Sequence, residues 1–249
     1  MINSGAAPLR SIIRAQAAME LRLRLRNGES LLLTMIIPVV LLAFFGTVDV
    51  VGTPTRHPVD FVLPGIIAVA IMSTAFTGQA IATAYERSYG VLKRLGATAL
   101  PRWGLLTAKT LAVVVVEALQ IALLFGIGVA LGWRGHVGGL AAATLLVLLG
   151  TLCFSGLGLL MAGTLRAEAT LAAANGLYVV LLLVGGLIVP LSKLPGPLAA
   201  AGRQLPTAAL ADGLRAALNQ GHADTRAIVV LLAWSAVFVA AAFRTFRWE

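Results

Sequence analysis

Residues 85–103 read YERSYGVLKRLGATALPRW. The stretch is short, charged and amphipathic, and it stands between two long apolar runs, 61–84 and 105–131. Glu86, Arg87, Lys93 and Arg94 cannot lie in hydrocarbon, so this stretch is a brief helical segment at a membrane surface and its apolar flanks are crossings. The rest of the chain agrees. Of 249 residues, 59% are hydrophobic and 12% are charged, whereas a soluble domain carries roughly 25% charge. The fold expected is an all-α integral membrane protein.

A bilayer core of about 30 Å needs about 20 apolar residues at 1.5 Å per residue. Six segments meet that length: 31–48, 61–84, 105–131, 137–162, 170–189 and 227–243. An even number places both termini on one side. One set of flanks holds most of the 19 lysines and arginines, from Arg10 through Arg102 and Lys109 to Arg244 and Arg247; the other holds only Arg56, Arg134, Lys193, Arg203, Arg215 and Arg226. The excess of positive charge on the inner side then puts both termini and the 85–104 loop in the cytoplasm. The net charge of +9 is spread beside apolar spans and is not a basic patch for nucleic acid.

Residues 1–30 form a cytoplasmic unit ahead of the six-helix domain, 31–249. Within it, residues 8–27 read as an amphipathic interfacial helix, with Ile12, Ile13, Ala17, Leu21 and Leu25 on one face and Arg10, Arg14, Arg22 and Arg24 largely elsewhere. The run Arg22 to Arg26 alternates with period two, which a strand could also satisfy; arginines snorkelling at a membrane surface fit better. About 30 arginine-rich residues before the first span are too many for the leading region of a signal peptide, so the span is expected as an uncleaved anchor.

Between the fifth and sixth spans, residues 190–226 are too long and too apolar for a free loop. Pro195, Pro197 and Pro206 punctuate them. After Pro206, Leu210, Leu214 and Leu218 recur every fourth residue with Asp212 and Arg215 off that stripe, predicting a short helix that ends near 219–221. An outer re-entrant or interfacial helix pair is expected here.

A few polar residues lie inside the apolar spans. Glu117 falls 12 residues beyond Leu105, about 18 Å along a helix and near mid-membrane. A charge there costs roughly 2.5–3.5 kcal/mol, so Glu117 is protonated, paired or facing water. It is a candidate substrate-pathway or proton-linked group, or a neutral acid bonded to a neighbouring helix. Gln120, one turn on, could share a hydrogen bond with it, and Lys109 is expected to snorkel to the interface. Gln79 and Asn175 are expected to bond between helices. Gly126, Gly128, Gly156, Gly158, Ala162 and Gly163 offer small faces for close helix contact, and Pro38 is expected to kink the first span.

Catalytic machinery is not legible. The three lysines follow Leu92, Ala108 and Ser192, so the chain holds no GxxxxGK[ST] phosphate loop. It holds no HExxH and no GxSxG. Cys153 is the single cysteine, and His57, His136 and His222 fall in separate predicted loops. No metal ligands and no catalytic residues are assigned.

Two stretches carry a family resemblance. Glu86-Arg87-x-x-Gly90-Val91-Leu92-Lys93-Arg94-Leu95, followed by residues 97–101, resembles the coupling segment of ABC-2 type permeases, E-R-x-x-G-x-L-x-x-L and a small-residue turn with proline. Pro190-Leu191-x-x-Leu194-Pro195, then Leu205-Pro206 and Ala211-Asp212-Gly213-Leu214-Arg215, resembles the same family's outer helix-pair run. These permeases are the membrane subunits of ATP-binding-cassette exporters, and the likeness is nearest to drug- and antibiotic-exporting members. Lys93 departs from it, since many members carry an acid there.

The resemblance implies a coupling helix seated in a groove of a separate nucleotide-binding ATPase subunit. Leu92 and Leu95 would supply apolar contact, and Glu86, Arg87 and Arg94 would set orientation by charge. ATP and Mg would reside on that partner, with no cofactor in this chain. A second permease copy or a paralogue would complete an assembly of two permeases and two ATPases amid membrane lipids. The cargo would be hydrophobic or amphipathic, drug-like or lipid-like, and the site a bacterial plasma (inner) membrane. Two other readings stand beside it: a proton-coupled carrier using Glu117, and a membrane assembly or scaffold protein.

Overall fold

In a computed structural model, which describes residues 8–48, 55 and 57–246, every regular element is helical. Arg56 and Arg247, used above to set orientation, and residues 1–7 of the N-terminal unit lie outside the described residues. The helices are α1 (Leu9–Arg26), α2 (Gly28–Thr47), α3 (Pro58–Ile71), α4 (Gln79–Ser88), α5 (Val91–Gly96), α6 (Arg102–Ala130), α7 (Leu140–Thr164), α8 (Ala167–Val184), α9 (Gly196–Gly202), α10 (Pro206–Gln220) and α11 (Thr225–Thr245). A π-helical stretch, Met72–Gly78, joins α3 to α4 without a break.

Among the described residues, five helices are long and apolar enough to cross a membrane: Pro58–Ser88, Arg102–Ala130, Leu140–Thr164, Ala167–Val184 and Thr225–Thr245. The pair Leu9–Arg26 and Leu31–Thr47, bent by 69°, supplies up to a sixth. Their ends follow local chemistry. Proline opens α3 and α10, where its missing N–H is no loss. The Asp224 carboxylate caps α11 by accepting from the Arg226 and Ala227 amides at 2.9 and 3.3 Å. α2 continues through Pro38.

The crossing Pro58–Ser88 is the axis of the bundle. In its most apolar 18 residues 89% are buried, against 22% in those of α8 and of α11. Around it α7 packs closest, because its small residues let backbones approach. A Cβ on Gly158 would stand 2.8 Å from the Phe76 carbonyl of the π-helical stretch, and one on Gly156 would stand 3.0 Å from Val239 of α11. Gly128 meets Leu63 in the same way, whereas Gly126 faces open space and makes no such contact.

Three elements differ from the sequence expectation. The second span, read as a plain helix over 61–84, carries the π-helical stretch in its middle. The helix after Pro206 is covered more fully than its stripe Leu210, Leu214 and Leu218 implied: its alanines are buried too, against α3, α7 and α11. Alanine is small enough to be covered on every side of a helix. In α1 the RLRLR run is helical, and the inward face is buried Glu20 with half-buried Ile12, Ile13, Gln16, Ala17, Leu21 and Arg24, on the helix that packs on α6. Arg24 is therefore on the inner face, where Leu25 had been expected; Leu25 is exposed.

Candidate functional site: a clamped platform at one end of the bundle

The 85–103 segment folds as the last turn of α4, a bend, and the six-residue α5. Gly90 makes the bend with φ +73°, a left-handed conformation that side chains with a Cβ resist. From there α5 turns Leu92 into the bundle. Leu92 is fully buried with Leu100, Leu105, Leu106, Leu159 and Phe246, and half-buried Leu95, Ile12 and Ile13 pack on the same cluster. The end of α6, the end of α7, α1 and the residue after α11 thus share one apolar plug.

Polar contacts brace the segment from α4. The Arg87 guanidinium donates to the Leu165 carbonyl at the α7–α8 turn. Glu86 turns inward to Lys109 of α6, at 2.5 Å. The Lys109 ammonium is 0% exposed and also reaches Glu20 of α1, at 3.0 Å. The Glu20 carboxylate accepts in addition from the Gln16 amide, 2.9 Å away. Lys109 does not snorkel, because two carboxylates supply inside the fold what the interface would have supplied outside. Three charged side chains from α1, α4 and α6 therefore form one clamp. Arg24 lies on the same side, where the Glu20 and Glu86 carboxylates act on its charge.

The predicted coupling residues divide accordingly. Glu86, Arg87 and Leu92 hold the segment to the bundle, Leu95 is half-buried, and Lys93 and Arg94 are exposed. The expectation that Leu92 offers apolar contact to a partner does not hold, because its side chain is spent on the plug. Two residues that the sequence reading missed take the outward position: Tyr89, 73% exposed, and Val91, also exposed. They flank Gly90, so the bend that buries Leu92 is the signal that could have found them.

Deeper in the bundle, Glu117 accepts from the Thr151 hydroxyl of α7, and its Oε1 is buried with no hydrogen-bond partner. Gln120 does not share its bond. It accepts from Thr74 at 3.0 Å and donates to the Thr34 carbonyl at 2.9 Å, tying α6 to the π-helical stretch and to α2. Gln79 is buried with both amide atoms unpartnered. Asn175 is exposed on α8 and bonds its own helix at Leu171. Neither Gln79 nor Asn175 makes the interhelical bond expected of it.

At the other end, Arg215 gathers three elements. It donates to Asp212 at 2.9 Å, to the Phe61 carbonyl at 3.3 Å, and to the carbonyls of Gly186 and Leu187 at 3.0 and 2.8 Å. Its guanidinium also lies 3.7 Å from the Phe61 ring centroid. With Pro206 starting α10 and Leu214 buried beneath, this arginine fixes the outer helix against α3 and the end of α8. The site can hold and transmit; its groups are spent on binding one another.

Residues 13–219 match the family model described as ABC-2 type transporter. The chain is also 24% identical, over 238 residues, to the protein named "Putative transport permease YvfS" of Bacillus subtilis (strain 168), covering 92% of this chain and 94% of that protein.

Proposed function

The chain belongs to the ABC-2 type transporter family, and from that membership we propose that it is the permease subunit of an exporter driven by a separate ATPase. The cargo is a hydrophobic or amphipathic molecule leaving the cytoplasm or inner leaflet of a bacterial plasma membrane. The observation that carries this reading is the presentation of α5. Leu92, Glu86 and Arg87 anchor the segment, while Tyr89, Val91, Lys93 and Arg94 remain outward as a small mixed apolar and basic face. A segment held firmly on one side and left open on the other suits docking of a second protein that pushes on it. The positive-inside count supports placing this face, and both termini, in the cytoplasm. Two copies, or this chain and a paralogue, enclose the path; exposed Asn175 on the thinly covered α8 supports a partner there.

The test is co-expression with an ATPase that carries a phosphate loop. Arg94→Glu and Val91→Asp should insert normally, retain thermal stability and lose the co-purifying ATPase. Glu86→Ala should lower stability first. In vesicles, export should require ATP and survive collapse of the proton gradient. Export that persists without ATP and stops with the gradient would establish instead the carrier that uses Glu117.

A further inference from the structure

Beside the clamp, a cleft of about 370 Å³ opens between the second half of α1, the start of α2 and the π-helical stretch. Its polar lining includes Glu20, Arg24, Asn27, Ser73, Thr77 and Glu86. The π-helical geometry shapes it, since a widened turn swings residues 73 and 77 toward the cleft while Thr74 bonds Gln120 behind them.

Two lining residues hold buried polar atoms with no hydrogen-bond partner, Nε of Arg24 and Oγ1 of Thr77. A buried donor left unmet loses its water without gaining a partner. A guanidinium nitrogen only donates, so Arg24 calls for an acceptor, and an anionic oxygen answers it best. The other rim has the opposite sign. Glu20 and Glu86 stand against Lys109 and Arg24, so the lining is balanced overall but carries both signs, and the Glu86 side chain is 27% exposed. A simple anion would be drawn to Arg24 and repelled by Glu86. A head group with both signs meets both. Leu23 and Leu31 form an apolar lip to the same cleft, and Leu23 is exposed.

We infer that this cleft binds the head of a zwitterionic amphiphile, its anionic oxygens on Arg24 and Thr77, its ammonium at Glu86, and its tail along Leu23 and Leu31. A phosphoethanolamine lipid has that chemistry. The site goes beyond the exporter reading and needs no ATPase.

The experiment is native mass spectrometry of the purified chain in detergent, titrated with phosphatidylethanolamine and phosphatidylglycerol of equal tail length, and with phosphoethanolamine lacking tails. Phosphatidylethanolamine should bind about tenfold more tightly than phosphatidylglycerol, the loss expected of one charged contact. Arg24→Gln should weaken both lipids about tenfold and Thr77→Val should weaken both by less, since both carry the phosphate, whereas folded Glu86→Gln should remove most of the preference. Arg22→Gln, on the exposed face of α1, should leave it unchanged. Tail-free phosphoethanolamine should bind far more weakly. Equal binding of the two lipids overturns the proposal, as does unchanged affinity in folded Arg24→Gln or an unchanged preference in folded Glu86→Gln. Tail-free head group binding as well as the lipid overturns the amphiphile and points to a soluble zwitterion.

Discussion

Lys109 shows how one residue can organise an end of a membrane protein. Its charge is out of water and is tolerable because Glu20 and Glu86 are both within 3.0 Å. Removing it leaves two carboxylates facing each other in a buried place. Lys109→Met should therefore destabilise the protein by about 3–5 kcal/mol, read as a lower unfolding temperature in detergent. Adding Glu20→Gln and Glu86→Gln should restore most of that loss. If the triple variant is as unstable as the single one, the clamp is not the reason. The lysine could be placed from the sequence, but its partners could not. Glu20 is 89 residues away, and a pair so distant leaves no periodicity to read. Gln16 and Glu20, four apart on one helix face, were the visible half of the arrangement. Arg24 was misplaced for a related reason: an amphipathic count treats every arginine as outward, and here its inner position goes with carboxylates on α1 and α4.

The helices themselves were plain in the sequence, since twenty-residue apolar runs and the prolines and glycines between them leave little choice. The π-helical stretch was not, because one extra residue per turn changes neither composition nor length. Its effect is a register shift. Deleting Ala75 should let Met72–Gly78 relax to an α-helix with the register after it nearly kept, since six α-helical residues turn about as far as seven π-helical ones, whereas inserting one alanine after Ala82 in α4 should turn everything after it by about 100°. Glu86 would then leave Lys109, and Leu92 would leave the plug formed with Leu105 and Phe246. The variant should still insert, because insertion follows apolar length. It should also lose clamp stability and expose Leu92→Cys to a water-soluble thiol reagent that does not reach Leu92→Cys in the segment without the insertion. Protection kept after the insertion, or lost on deleting Ala75, would mean that the stretch does not set the register of α5 in this way.

At the scale of the molecule, burial is uneven in a way that says which faces await something. The central crossing is covered on nearly all sides, whereas α8 and α11 show most of their surface. Lipid suits the leucines and valines there; Asn175 it does not. With Cys153 replaced by alanine, Asn175→Cys should form a disulfide-linked dimer under mild oxidation in membranes. A cysteine at Val229, exposed on α11, should do so less readily. Equal yields would argue against a partner surface on α8. The clamp has a further meaning in the order of synthesis. Glu20 and Glu86 both precede Lys109 in the chain, so when α6 leaves the ribosome its counter-charges are already made. The lysine need never enter the bilayer uncompensated. Glu117, on the same helix, has its hydrogen-bond partner 34 residues later, and so α6 can settle at its charged end before its middle has anything to bind.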